Sequence, residues 1–549
     1  MRLRLIVPLL CALVMLALPV WGEPVPQPEK PVACLGCHGS LRGKTRVDPE
    51  KYTASVHGQL TCVECHDPGS LGAIDSVHRE SVSSPGHTLP LVSMLLQDKT
   101  PFPDAVASCG RCHEEVFDAV RESAHGKALF ERGNQDAAFC TDCHRPIHDL
   151  KKVSETSSSV ARTHLIETCS RCHANRVIAS RYNLNVYVVQ SYKAHFHGKK
   201  YSLGSSETPT CIACHGHHTA SRVTAEDKLS ICIQCHEGAT AAFAASFSHQ
   251  PLNADSNPIA FHVRRVLVII LAGIILLLTL HILLEIYGQV RAGRTSCPLP
   301  HARAGVSWSL FQRLPKRVER MNLHFRIQHA VVFVAIFYLS ASGIALKFPE
   351  MRFSAAWIRL WGGVQNAGHL HRFAALVLII DVVYHLAYVA ILGARKKLAF
   401  ALLPRFHDFR LMLDNIRYLA GRTSERPAFG KFNYVQKLDY WLVVLVVAAM
   451  VVTGLMYWFP TVTASILPAS VSPWIWGLAY VIHSTEALLV LFVAFVWHFY
   501  NVHLKSRVFP MSWVWITGQI DLEDLIEDHP EEFKALVQSE MATMNGEGE

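Results

Sequence analysis

Between Cys34 and His236 the pattern Cys-x-x-Cys-His occurs seven times. The copies are Cys34, Cys37 and His38; Cys62, Cys65 and His66; Cys109, Cys112 and His113; Cys140, Cys143 and His144; Cys169, Cys172 and His173; Cys211, Cys214 and His215; and Cys232, Cys235 and His236. Together they use fourteen of the sixteen cysteines. Two thiols three positions apart, followed at once by an imidazole, can form two thioethers to haem vinyl groups and place the imidazole under the iron as proximal ligand. Zinc knuckles do not need His directly after the second Cys every time, and disulfides do not need His at all. Seven covalently attached c-type haems are expected.

A haem that only carries electrons needs a sixth ligand, and neutral imidazole is the usual one. Twelve further histidines lie in this region: His57, His78, His87, His125, His148, His164, His195, His197, His217, His218, His249 and His262. His57, His125 and His197 are the first choices. Each is followed by Gly and sits between two haem motifs, so the region reads as three motif pairs plus a lone seventh at Cys232. His148, His164, His218 and His249 are the next candidates. The layout resembles the paired-motif multihaem c-type cytochromes, whose folds are mostly haem packing with short helices and loops.

A second set of histidines lies in apolar segments, where an imidazole is costly and usually functional. His483 and His498 are fifteen residues apart, which on a helix puts them on roughly one face and about 22 Å apart. That geometry suits one axial ligand to each of two stacked b-type haems. A partner for His483 must lie at the same depth, where His371 fits, with His369 as the alternative. For His498 both His329 and His385 reach the required depth. Asp381, four residues before His385 on the same helix face, makes with it a candidate proton relay for quinol chemistry. Glu285 with His281, and Glu486 beside His483, are weaker versions of that relay.

The elements that must position these residues follow from composition. Half of the 549 residues are apolar, which is high for a soluble protein. The formal charge of +8 lies mostly in loops beside apolar helices, so it reports membrane orientation and not a nucleic-acid partner. Residues 1–22 read as a signal peptide, with a retained anchor as the alternative. Residues 23–260 form an exported heptahaem domain, poor in long apolar periodicity, with few strands expected and a core made largely of porphyrin. Residues 261–290 form a membrane tether helix, 291–510 a di-haem membrane domain, and 511–549 a cytoplasmic tail. Apolar runs near 266–287, 327–346, 371–392, 440–459 and 480–502 are each about long enough to cross a bilayer. Arginines and lysines crowd loops 288–326 and 393–439, while 347–370 and 460–479 are sparse. The positive-inside rule then puts the haem motifs in the periplasm of a bacterial inner membrane. The fold class is all-α: a haem-packed domain of short helices and loops, then a five-helix bundle.

Arg326-x-x-His329, Ser342-Gly343, Phe348-Pro349, His498-Phe499-Tyr500 and the Thr517-Gly518-Gln519-Ile520 segment with His529-Pro530 resemble the cytochrome b subunits of formate dehydrogenase and nickel–iron hydrogenase. The resemblance covers about residues 320–532 and implies two haem b, with His329 paired to His498 and His371 to His483; His385 remains the competitor of His329. The extra helix 266–287 departs from that family. The whole looks like the fused multihaem-c and cytochrome-b quinol oxidoreductases of anaerobic respiration. It would oxidise menaquinol or ubiquinol through two b haems and pass electrons through seven c haems to a periplasmic cytochrome or other acceptor. The alternatives are an anchor subunit with dehydrogenase or hydrogenase partner subunits, and a multihaem reductase of a small nitrogen or sulfur substrate. The reductase calls for an open haem, and no altered motif marks one.

Overall fold

The computed structural model describes residues 35–36, 38–40, 46–65, 108–134, 136–292, 306–395, 400–505 and 508–546. The signal peptide, Cys34, Cys37, His66, His78, His87 and Cys297 lie outside the described residues. The chain forms two compact units: one is residues 1–168 with 217–221, and the other is 169–216 with 222–549. The motifs at Cys169, Cys211 and Cys232 therefore fold in the same unit as the membrane helices.

The described part of the first unit is built of short helices, among them Pro49–Ala54, Cys62–Cys65, Glu114–Glu122 and Cys140–Cys143. Each needs its own stop and start, and one device recurs. A helix ends on an extended residue, at Ser55, Ser123 or His195, with ψ of 164°, 167° and 160°, and two residues later comes the His of a His-Gly pair. The glycine then packs on the helix just ended. A Cβ at Gly58, Gly126 or Gly198 would lie 2.4, 2.1 and 2.1 Å from the carbonyl oxygens of Thr53, Val120 and Tyr192. The repeated Gly is a close-approach requirement, and it fixes the pose of the His before it. Helices at Phe196–Ser202, Cys211–His215, Ala225–Ile233 and Ala241–Ser246 complete the motif-bearing part of the second unit.

Five long helices follow: α1 Pro258–Ala292, α2 Leu323–Lys347, α3 Val364–Ala394, α4 Tyr434–Trp458 and α5 Ser472–Phe492, the last continuing in π-helical turns over Val493–His498 and Tyr500–Leu504. Each exceeds the ~20 apolar residues needed to span a bilayer. The protein is multi-pass. Asn322 and Asn433 cap α2 and α4 by accepting from Phe325 N–H and Gln436 N–H, and both helices stop at a Phe-Pro step, since a residue before proline avoids the helical region. The bundle has a motif end, where Ser472 donates to the Ala242 carbonyl at 2.7 Å, and a tail end.

At the tail end, strand β1 (Arg317–Glu319) pairs antiparallel with β2 (Gln519–Asp521), bringing Val318 opposite Ile520. Leu314, Ile520, Leu522, Leu525, Phe533 and Val537 form a small core there. Arg320 is paired with Glu532 and accepted by His529 Nε2 at 3.0 Å, while Arg426 meets Asp528 at 2.8 Å. The tail is thus packed onto residues 306–320 by apolar contact and ion pairs.

Candidate functional site

Two imidazoles bound on opposite sides of one metal have a characteristic spacing. A metal–nitrogen distance of about 2 Å on each side, plus about 1.1 Å from each nitrogen to its ring centre, separates the ring centroids by about 6.2 Å. In the first unit His57 and His113 lie 6.2 Å apart, and His144 and His218 also 6.2 Å. In the second unit His197 and His236 lie 6.1 Å apart, and His215 and His249 6.2 Å. Each pair joins one motif histidine to one non-motif histidine. Burial lowers His57, His144, His218, His236 and His249 below the ordinary imidazole value, and holds His197 at about 4. These rings are therefore neutral at neutral pH, as a metal ligand must be. The donor set fits haem.

Four of the seven distal candidates, His57, His197, His218 and His249, are brought to a motif histidine in this way. His125 sits in the same kinked segment as His57 and His197, on helix Ala124–Gly126. His148 lies edge-on to Tyr52, with ring centroids 6.3 Å apart, and His164 meets Glu167 at 3.7 Å. His195, outside the favoured set, caps its own helix by accepting the His197 N–H.

In the bundle, His329 of α2 and His498 of the last helix face each other with centroids 6.1 Å apart. His371 of α3 and His483 of α5 lie towards the motif end. Their Nδ1 atoms meet Ser342 Oγ at 2.8 Å and Thr453 Oγ1 at 3.0 Å. Both hydroxyls already donate to a helix carbonyl, Tyr338 at 2.6 Å and Ala449 at 2.7 Å, so each accepts the proton from Nδ1. That fixes the tautomer and leaves both Nε2 lone pairs for a metal. Gly343 and Gly454, next in sequence, lie beside these rings, where a Cβ would stand in ordinary contact, 3.6 and 3.4 Å from Cε1 of His371 and His483. His498 Nδ1 instead meets a carboxylate, Asp439 Oδ2, at 3.1 Å. A small apolar slot lined by residues such as Ile336, Val446 and Leu489 opens between α2, α4 and α5.

Both nitrogens of His385 are hydrogen-bonded to side chains. Its Nδ1 meets Gln328 Oε1 at 2.7 Å and its Nε2 meets the Tyr440 hydroxyl at 2.9 Å. Its hydrogen bonds thus go to Gln328 and Tyr440, and not to the buried Asp381. Likewise Glu285 pairs with Lys505 at 2.6 Å, and His281 with Tyr434 at 2.6 Å.

A sequence repeat that inspection of the motifs does not reveal explains this layout. Asn322, Gln328, His329, Ser342, Gly343, Phe348 and Pro349 recur 111 positions later as Asn433, Asp439, Tyr440, Thr453, Gly454, Phe459 and Pro460. His371 recurs as His483, 112 positions on. His385 follows His371 by fourteen residues and His498 follows His483 by fifteen, the extra residue falling in the π-helical turn Val493–His498. The α2–α3 and α4–α5 hairpins are therefore quasi-equivalent. The signal was a constant offset, hidden by the exchange of Gln for Asp and of His for Tyr.

The motif region and the bundle are coupled within the second unit. Lys199, two residues after His197, donates to the Tyr480 hydroxyl at 2.8 Å, and Tyr480 is three residues before His483. Lys200, three residues after His197, donates to Gln365 of α3 at 2.8 Å.

Residues 320–510 match the family model of prokaryotic cytochrome b561. The nitrate-inducible formate dehydrogenase cytochrome b556(Fdn) subunit of Escherichia coli is 21% identical over 234 residues, covering 42% of this chain and 98% of that subunit. A formate dehydrogenase cytochrome b556 subunit of Haemophilus influenzae is 26% identical over 143 residues, covering 26% of this chain and 55% of that protein. The membrane part is thus related to b-type cytochromes, and the family match implies haem b.

Proposed function

We propose that the chain is a respiratory quinol oxidoreductase of the bacterial inner membrane, with a periplasmic heptahaem region. Menaquinol or ubiquinol is the donor, and a periplasmic cytochrome or other redox protein is the acceptor. His329 with His498 and His371 with His483 hold two haem b; the seven Cys-x-x-Cys-His motifs hold seven haem c. Each haem, when bound, supplies a one-electron ferric/ferrous couple. Oxidising one quinol releases two electrons and two protons, so the electrons leave singly. The basic loops 288–326 and 393–439 support a cytoplasmic tail end and a periplasmic motif end.

The observation that carries this reading is the Lys199–Tyr480 hydrogen bond. It ties the residue two after His197, whose ring stands 6.1 Å from that of His236, to the helix turn before His483. The lone motif at Cys232 is therefore the junction between the membrane and the periplasmic relay. A reduced menaquinol analogue added to the purified protein should reduce b-type and then c-type haem. In a Cys232→Ala/Cys235→Ala variant the b haems should still be reduced while the six remaining c haems stay oxidised. Equal c-haem reduction in that variant would remove the junction.

A second reading makes the chain the cytochrome anchor of a larger complex. It is favoured by the relatives being formate dehydrogenase subunits. Purification of the native protein with a stoichiometric dehydrogenase or hydrogenase subunit would select it.

A further inference from the structure

The internal repeat gives the bundle two quasi-equivalent positions at the tail end. One is filled by His329 and His498, with ring centroids 6.1 Å apart and Asp439 on His498 Nδ1. Its counterpart is filled by Tyr440 and His385, with centroids 6.0 Å apart and Gln328 on His385 Nδ1. Same spacing, same support, but a phenol stands where the second imidazole would be. Tyr440 and His385 are hydrogen-bonded directly at 2.9 Å, which leaves no room for a metal between them, yet the counterpart keeps a membrane histidine, which is costly unless used.

We propose that the His385–Tyr440 pair is the quinol headgroup site, with His385 Nε2 as the acceptor of the quinol protons; this rests on the quinol reading above. Three observations carry it. First, Gln328 Oε1 accepts from His385 Nδ1–H, so Nε2 holds the lone pair and now accepts from the Tyr440 hydroxyl at 2.9 Å. A quinol hydroxyl entering in place of the phenol meets a base already in the right tautomer. Secondly, Gln328 is 96% buried, and its Nε2 has no hydrogen-bond partner, a donor facing no acceptor. A quinone oxygen supplies that acceptor. Thirdly, Gln328 immediately precedes His329 and Tyr440 immediately follows Asp439, which holds His498. Gln328 thus adjoins one axial ligand of the tail-end haem b, and Tyr440 adjoins the carboxylate that holds the other. Beside it Val383 and Leu386, three positions apart on one face of α3, are 61% and 63% exposed, an apolar approach for a membrane-dissolved quinol.

The balance is simple. One quinol gives one quinone, two electrons and two protons. A haem held by His329 and His498 would take up the electrons one at a time, and His385 Nε2 takes the two protons in succession, passing the first to bulk water before taking the second. Tyr440 is freed to donate to the quinone oxygen, and Gln328 positions both His385 and the headgroup.

The test uses the full-length holoprotein. His385→Gln and Tyr440→Phe should keep the wild-type ratio of b to c haem and the dithionite-reduced spectrum. Menaquinol-analogue-driven reduction of the haems should fall at least tenfold in His385→Gln, with weakened binding of a quinone-analogue inhibitor measured by fluorescence titration. Tyr440→Phe should retain inhibitor binding within a few fold but slow quinol oxidation. Wild-type quinol rates and inhibitor affinity in His385→Gln would overturn the site. Loss of one b haem in His385→Gln would instead make His385 an axial ligand, overturning both the site and the ligand pairing. Failure of the wild-type protein to be reduced by the quinol analogue would break the underlying quinol reading and with it this proposal.

Discussion

Thr453→Val is the sharpest test of how the motif-end haem b is held. Valine has nearly the shape of threonine, so packing against Gly454 and the His483 ring is kept while the hydroxyl that accepts His483 Nδ1–H at 3.0 Å is lost. An unsatisfied buried donor costs about 1–3 kcal/mol. The Met450 carbonyl lies close enough to take the proton, which sets the expectation at the low end, about 1–1.5 kcal/mol. At 1.36 kcal/mol per decade that is roughly a tenfold loss of haem affinity, within the ~10–100-fold typical of changes behind a ligating histidine. The assay is transfer of haem b to excess apomyoglobin, followed by difference spectra at fixed c-haem content. One b haem should leave about ten times faster and the other at the wild-type rate, and Thr453→Ser should restore the first. Identical transfer in Thr453→Val and wild type would refute the tautomer argument for His483.

Further outcomes follow from the same geometry. His498→Ala should remove one of two b haems and abolish quinol-driven reduction of the c haems; full c-haem reduction in that variant would refute the path. Asp439 puts a carboxylate on one axial imidazole, where Ser342 and Thr453 put neutral hydroxyls on two others, so Asp439→Asn should raise the midpoint potential of the tail-end haem b alone in a spectroelectrochemical titration. His529 is held at about 4 by burial and then by Arg320, against an ordinary 6.5. Between pH 6.5 and 4 the undocked tail binds a proton that the docked tail does not, so docking weakens as pH falls through that window and is constant above it. Limited proteolysis of the tail should accelerate from pH 7 to pH 5, and a His529→Asn variant should lose most of that dependence.

The seven Cys-x-x-Cys-His motifs were legible because covalent haem attachment would fix three residue types at one spacing, and the five spans because a bilayer demands ~20 apolar residues. The distal partners were legible only as candidates. Which of twelve imidazoles meets His113 or His236 is decided by where loops return, and loop path leaves little trace in residue type. The recurring His-Gly did carry a structural signal, since Gly58, Gly126 and Gly198 each pack on the carbonyl of a helix just ended. In the bundle, depth along a helix could not separate His329 from His385. Hydrogen bonding does: His385 is engaged at both nitrogens by Gln328 and Tyr440, whereas His329 faces His498. Asp381 and His385 share one helical face, yet His385 hydrogen-bonds Gln328 and Tyr440, because residues on one face can turn their side chains to different neighbours. The 111-residue repeat was present in the sequence throughout, but a Tyr in place of His and a one-residue π insertion broke the pattern that a search for paired histidines relies on.

The central claim is that nine haems form one path from quinol to the periplasm. The most direct measurement is a redox-titrated optical and electron paramagnetic resonance spectrum of the purified protein, with haem types counted by pyridine haemochrome and then with a menaquinol analogue as sole reductant. Seven c and two b haems, all low-spin, are expected, with reduction by the quinol spreading from b to c. A high-spin c haem that binds nitrite or cyanide, or b haems reduced by quinol while every c haem stays oxidised, would contradict it.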